Sequence, residues 1–195
     1  MVLFKRVLGT AALLCLMAPM NLSANESDGY YRVAYDNCGV AGQQSHVRVG
    51  NGYTYPVQDI PIEAVAQNSP ARTVAFDPKQ VILSYEGLAV EAAYREALTL
   101  LSDAPRRQTV YLNEWPVESH FELNPGQVYT LTYEVPKHLF AKGRLDVRIK
   151  HEAGPNAVVS EAILYSTARR LKPVLTLSAH GNLNRQIQGK ILDLN

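Results

Sequence analysis

The sequence predicts an all-β fold: an antiparallel β-sandwich spanning residues 27–195 as one domain, behind a cleaved signal peptide at residues 1–24. Three observations carry this. Turn-forming residues recur at short intervals, from Asn37 and Gly39 to Gly154-Pro155-Asn156 and Gly181-Asn182. The runs between them alternate apolar and polar side chains, the period of a half-buried strand. Regular short strands separated by turn chemistry point to a sandwich.

The strands can be taken in order. Val81–Tyr85 is a short apolar run. Glu91–Leu101 is rich in Glu, Ala and Leu, which favour helix. Yet Tyr94, Glu96, Leu98 and Leu100 alternate with Arg95, Ala97 and Thr99, and the Asp103-Ala104-Pro105 turn follows, so a strand is predicted. Thr109–Trp115 reads as one strand, with Val110 and Leu112 on one face and Tyr111, Asn113 and Trp115 on the other. Gln127–Val135 places Tyr129, Leu131, Tyr133 and Val135 opposite Thr130 and Thr132. In Gly143–Lys150, Leu145, Val147 and Ile149 point inward and Arg144, Asp146, Arg148 and Lys150 outward. Val158–Tyr165 and Val174–Leu177 complete the set.

The N-terminus has the order of an export signal: Lys5-Arg6, an apolar stretch from Val7 to Met20, then small residues at Leu22-Ser23-Ala24. The stretch is too short to span a membrane. A periplasmic or secreted location is expected. Cleavage would leave 17 basic and 18 acidic residues, because Lys5 and Arg6 are the only charges removed from 19 and 18. That balance excludes a strongly basic nucleic-acid binder and a polybasic membrane-surface protein. Cys38 would be left without a disulfide partner inside the chain, and a small buried residue is the ordinary reading of such a cysteine.

Tyr94–Leu100, Gln108–Asn113 and Gly154–Leu164 occur in a familiar order, with Glu134-Val135-Pro136, the Lys142-Gly143 turn and Ser160-Glu161 in the later positions. Over about residues 80–166 the chain resembles the galactose-binding-like β-sandwich modules appended to secreted bacterial carbohydrate-active enzymes. The resemblance implies a jelly-roll and, with it, glycan binding. Glu114-Trp115 stands where such modules tend to have a glycine after the strand asparagine, so the binding role of this turn does not carry over directly. Residues before 80 show no such likeness.

Candidate ligand-binding residues follow from side-chain chemistry. Tyr111, Asn113 and Trp115 share a face on the predicted strand. An indole and a phenol would offer a stacking surface to the apolar side of a sugar, and an amide would bond its hydroxyls. The alternative is that they fill the core. Tyr53 and Tyr55 follow Gly50-Asn51-Gly52 on a predicted loop, where they line a ligand or simply pack. The Arg106-Arg107 pair, with Arg107 as the ligand-binding member, could grip a carboxylate; the alternative is a solvated surface pair. Glu161 falls on an apolar face and needs a partner there: an arginine, backbone donors, or a structural calcium ion. No other cofactor is expected. The five histidines lack metal-ligand spacing, and no nucleophile elbow, phosphate loop or dinucleotide fingerprint is present.

Three functions remain open from sequence. The first is a non-catalytic exported module that binds glycan or another cell-surface ligand. The second is an envelope structural or assembly protein acting through protein–protein contacts. The third is a polysaccharide hydrolase or lyase, with Glu114 and Glu118 as the carboxylate pair.

Overall fold

The computed structural model describes residues 28–174. The predicted signal at 1–24, all but the first residue of the Val174–Leu177 run, and the Gly181-Asn182 turn lie outside them.

Twelve strands occur among the described residues: β1 Tyr31–Asn37, β2 Val47–Val49, β3 Asn51–Thr54, β4 Thr73–Asp77, β5 Gln80–Glu86, β6 Tyr94–Leu100, β7 Arg106–Leu112, β8 Trp115–Leu123, β9 Tyr129–Val135, β10 Arg144–Ala153, β11 Ala157–Val159 and β12 Glu161–Ser166. No α-helix is among them; two short 3-10 turns cover Pro70–Arg72 and Lys137–Phe140. Every ladder is antiparallel.

The sheets run β1-β12-β6-β9 and β2-β5-β10-β7-β8, with a small third sheet β11-β4-β3. Early strands lie beside late ones in both large sheets, the jelly-roll order in which each Greek-key return lands next to its starting strand. The expected all-β jelly-roll sandwich is therefore the observed fold. Residues 28–79 contribute to it: β1 and β2 are edge strands of the two large sheets, while β3 and β4 join β11 in the third.

The alternation read from sequence explains the core. Leu145, Val147 and Ile149 on β10 are fully buried, as are Leu98 and Leu100 on β6. Each such side chain contributes roughly 1.5–3 kcal/mol through burial. The segment whose composition favoured helix is the strand β6, because its alternate residues seal the sandwich and tertiary burial outweighs local propensity.

Two of the predicted runs are broken in the structure. Thr109–Trp115 is not one strand: β7 ends at Leu112, Asn113-Glu114 turns, and Trp115 opens β8 opposite Leu112. Val158–Tyr165 is also interrupted. Ser160 hands the chain from the small sheet to the first large one, its N–H donating to Thr99 O, its hydroxyl to Ala71 O, and its carbonyl accepting from Cys38 N. Cys38 itself is buried.

The loop before β4 closes around Arg72, which is almost fully buried. Its guanidinium donates to the carbonyls of Tyr55, Pro61, Val65 and Ala66. A buried cation is tolerable only when its donors are satisfied, and here the loop backbone supplies the acceptors.

Candidate functional site

The Asn113 face does not assemble as the sequence suggested. Asn113 has a left-handed backbone, φ 53°, a conformation Asn adopts more readily than most residues. Its Nδ2 donates to Leu139 O, its Oδ1 accepts from Asp146 N at 2.8 Å, and its own N–H donates to Asp146 O at 2.7 Å. The amide thus fastens the β7–β8 hairpin to β10 and to the Lys137–Phe140 turn before it, so both its nitrogen and its oxygen are already engaged. The Tyr111 ring is capped by Arg148, whose guanidinium carbon lies 4.4 Å from the ring centroid. Trp115 alone is open, 58% exposed, its ring centroid 6.3 Å from that of His138 in an edge-to-face pair. Glu114 projects from the hairpin tip toward Arg148 at 3.0 Å, whereas Glu118 lies half-buried on β8.

The second candidate group does come together. Tyr53 lies on β3, not on a loop, paired with Val74 of β4. β3 and the chain at Gly39 approach so closely that a Cβ on Gly52 would fall 2.2 Å from Gly39 O. Only glycine allows that contact, and it presses the small sheet against the sandwich. Beside it opens a cleft of about 230 Å³ lined by Tyr53, Tyr55, Val74, Phe76, Asp103, Arg106, Asn156 and Val158.

The apolar wall is aromatic. Tyr53 meets Tyr55 edge-on at 5.5 Å and Phe76 edge-on at 6.3 Å. Tyr53 is 43% exposed, whereas Tyr55 is buried and donates to Leu101 O at 3.4 Å. Burial raises the Tyr55 phenol above its ordinary pKa, so it stays a neutral donor.

The polar wall is built on Arg106. Strand parity aims Arg106 inward with Gln108, Val110 and Leu112, and sends Arg107 outward opposite Glu122. The arginine of this site is therefore Arg106 and not the predicted Arg107. Its Nε donates to Asn156 Oδ1 at 3.1 Å, and its Nη1 to Asp103 Oδ1 at 2.7 Å, Ala104 O at 3.3 Å and Ser102 Oγ. No acceptor among the described residues takes Nη2, and Asp103 Oδ2 likewise has no donor. The cleft thus presents a fixed N–H donor beside a carboxylate acceptor, held by three other groups so that little ordering remains to be done when a ligand arrives.

Glu161 is half-buried on the outer face of β12, and Tyr35 Oη donates to its Oε1 at 2.7 Å. Its partner in the structure is a phenol, which was not among the partners weighed from sequence. Among the described residues no three His, Cys, Asp or Glu side chains converge as a metal site would require.

Sequence reasoning missed Asp103, Asn156 and Phe76, and of the Arg106-Arg107 pair it chose the outward-facing member. The parity of Val110 and Leu112, carried back to residue 106, would have found the arginine. The others arrive from separate turns and a separate sheet.

No family model matches this chain, and no curated protein matches it in sequence. Solved structures do. The plant receptor-like kinase ANX2 matches with TM-score 0.52 and 8% identity over 74% of this chain and 51% of that one. A chain in the structure of the plant peptide RALF23 in complex with FER and LLG2 gives 0.51 and 11% over 77% and 50%. The β-glucuronidase 2 of Bacteroides uniformis gives 0.49 and 12% over 67% and 17%. This chain spans about half or less of each, and identities this low report shared fold alone. The architecture they share is an antiparallel β-sandwich.

Proposed function

We propose that this chain is an exported, non-catalytic module that binds a carbohydrate in the Tyr53–Arg106 cleft. The observation that carries the proposal is the pairing of an aromatic wall, with Tyr53 exposed, with an Arg106–Asp103 couple that keeps one open donor and one open acceptor. Adjacent sugar hydroxyls both donate and accept, so a diol matches that couple, while C–H faces pack on Tyr53. The couple is neutral overall, which favours an uncharged sugar. The cleft is smaller than the ~300–1,000 Å³ typical of drug-sized ligands, so it suits one sugar unit of a longer chain. Shallow contact of this kind gives affinities on the order of micromolar to millimolar.

No bond is broken and no cofactor takes part in this reading. Export to the periplasm or the exterior rests on the Lys5-to-Ala24 pattern. No helix among the described residues is long and apolar enough to cross a membrane.

A second reading is favoured by Trp115, whose exposed indole can stack on a sugar without help from Tyr111 or Asn113. Calorimetry or array binding with neutral oligosaccharides separates the two. Binding lost in Tyr53→Ala and kept in Trp115→Ala supports the cleft, and the reverse result moves the site to the hairpin. The absence of binding to any neutral glycan, by a folded protein, removes the carbohydrate reading.

A further inference from the structure

A feature independent of the cleft concerns the sheet edges. Sheet edges are sites of strand addition unless blunted by bulges, prolines, positive charge or shortness. β1 carries Arg32 and a register break between Arg32 and Ala34. β2, β3 and β11 are three or four residues long. β8 begins with Trp115-Pro116, has two register breaks and bends at His120, φ 56°. β9 differs from all of these. Its seven residues pair with β6 without a break, and it contains no proline, glycine, lysine or arginine. No backbone bond from the described residues reaches its outer edge.

We infer that the free edge of β9 is a self-pairing surface, on which a second copy of this chain adds its own β9 antiparallel about a two-fold axis through Thr132. The sequence of the strand, Tyr-Thr-Leu-Thr-Tyr-Glu-Val, is complementary to its own reverse about that centre. Thr132 meets Thr132, Leu131 meets Tyr133, Thr130 meets Glu134, and Tyr129 meets Val135. Thr–Thr and aromatic–aliphatic pairs are favourable directly across a ladder, and like charges are not. No like-charge pair arises in this register. Glu134 is already neutralised by Arg95 at 2.7 Å. Tyr129, Leu131 and Tyr133 are only half-buried at this edge, so the second copy covers apolar surface that the sandwich leaves partly open. A shared patch on both subunits is the isologous arrangement that closes as a dimer rather than a fibre. The β1-β12-β6-β9 sheets of the two copies would join into one of eight strands, carrying two clefts on one particle. Paired modules gain avidity on a repetitive ligand without any new contact.

The contact is a single short ladder, smaller than the ~1,600 Å² of a standard stable interface, so the dimer is concentration-dependent. The test uses the whole chain in a Cys15→Ser background, Cys38 being buried. Thr132→Cys places the new thiols on the two-fold, where opposed Cα atoms are ~4.5–5.5 Å apart. Thr130→Cys places them four residues apart along the ladder, about 13 Å, beyond the reach of a disulfide. Sedimentation should show a monomer–dimer equilibrium in the unsubstituted chain. Oxidation should give a disulfide dimer with Thr132→Cys and at least tenfold less with Thr130→Cys. Thr132→Lys, which sets like charges opposite each other on an exposed position, should leave a folded monomer. A monomer at all concentrations with no crosslink at Thr132, or equal crosslinking at both positions, overturns the inference.

Discussion

Tyr85 and Glu96 meet across the core: the Tyr85 hydroxyl, from one large sheet, donates to Glu96 Oε1 of the other at 3.1 Å, both side chains being fully buried. Glu96 Oε2 has no partner. Asp36 is buried in the same region, held by His46 through its backbone N–H at 2.9 Å and its ring Nδ1 at 2.7 Å. The His46 ring lies 4.8 Å from that of Tyr85. Burial is the main reason the Glu96 carboxyl is pushed well above its ordinary range, with the nearby Asp36 charge adding to it and the Tyr85 bond opposing it.

A group whose folded pKa is raised binds its proton more tightly in the fold than in the unfolded chain. Its contribution is therefore complete below the unfolded value, about 4.3, and is lost as pH rises toward the folded value. Glu96→Gln keeps the shape and the acceptor for Tyr85 while removing the ionisation. The variant should match the parent near pH 4 and exceed it at neutral pH, the gap widening by about 1.4 kcal/mol for each pH unit until the folded pKa is reached. Urea unfolding across pH 4–8 checks this; two parallel pH profiles would show that Glu96 is already ionised in the fold.

Arg72 organises the loop that leads into β4. Arg72→Met fills a similar volume but leaves the carbonyls of Tyr55, Pro61, Val65 and Ala66 without their donor. A loss of about 2–4 kcal/mol is expected from several charge-assisted bonds removed together. Arg72→Lys should recover only part of it, because an ammonium cannot span the fork. Chemical denaturation measures both. A cost under about 1 kcal/mol for the methionine variant would mean that water replaces the guanidinium freely.

How far the sequence reaches can be seen in β10 and β7. On β10 the alternation of Leu145, Val147 and Ile149 with charged residues states its buried face outright, and the structure keeps it. On β7 the same logic holds from Arg106 to Leu112 but fails beyond, because a two-residue Asn113-Glu114 turn lacks the Asn-Gly signal that marks most tight hairpins. The cleft was half legible. Tyr53 and Tyr55 stood out as paired aromatics, yet of their polar counterparts Asp103 and Arg106 lie about fifty residues further along the chain and Asn156 about a hundred. Long-range pairing of that kind leaves no local pattern. Arg72 left none either: its partners are backbone carbonyls, and these carry no residue identity.

Asn113 performs two separable jobs, left-handed geometry and side-chain bonding. Asn113→Gly keeps the first and should cost about 1–2 kcal/mol for the lost amide bonds. Asn113→Ala loses both and should cost about 1–2 kcal/mol more from the strained backbone. The order Asn, Gly, Ala in melting temperature checks the assignment. Equal effects of the two variants would mean that the φ of 53° contributes nothing.

Asp103 sets the charge of the cleft. With it, Arg106 is half of a neutral couple; without it, the guanidinium faces the ligand as a net positive charge. Asp103→Ala removes the acceptor for a sugar hydroxyl, and a hydrogen bond to a charged group is worth ~1.5–3 kcal/mol, so affinity for a neutral oligosaccharide should fall by roughly 10- to 100-fold at about 1.4 kcal/mol per decade. The same change should raise affinity for a uronic-acid oligosaccharide, and that gain should shrink with added salt because the partly exposed site is screened. Calorimetry with one neutral and one acidic ligand at two ionic strengths reads both effects. Circular dichroism at matched temperature shows whether Arg106, still held by Asn156 and Ala104, keeps the strand in place. Unchanged neutral-sugar affinity in a folded Asp103→Ala protein would detach the Arg106–Asp103 couple from recognition and leave the aromatic wall to act alone.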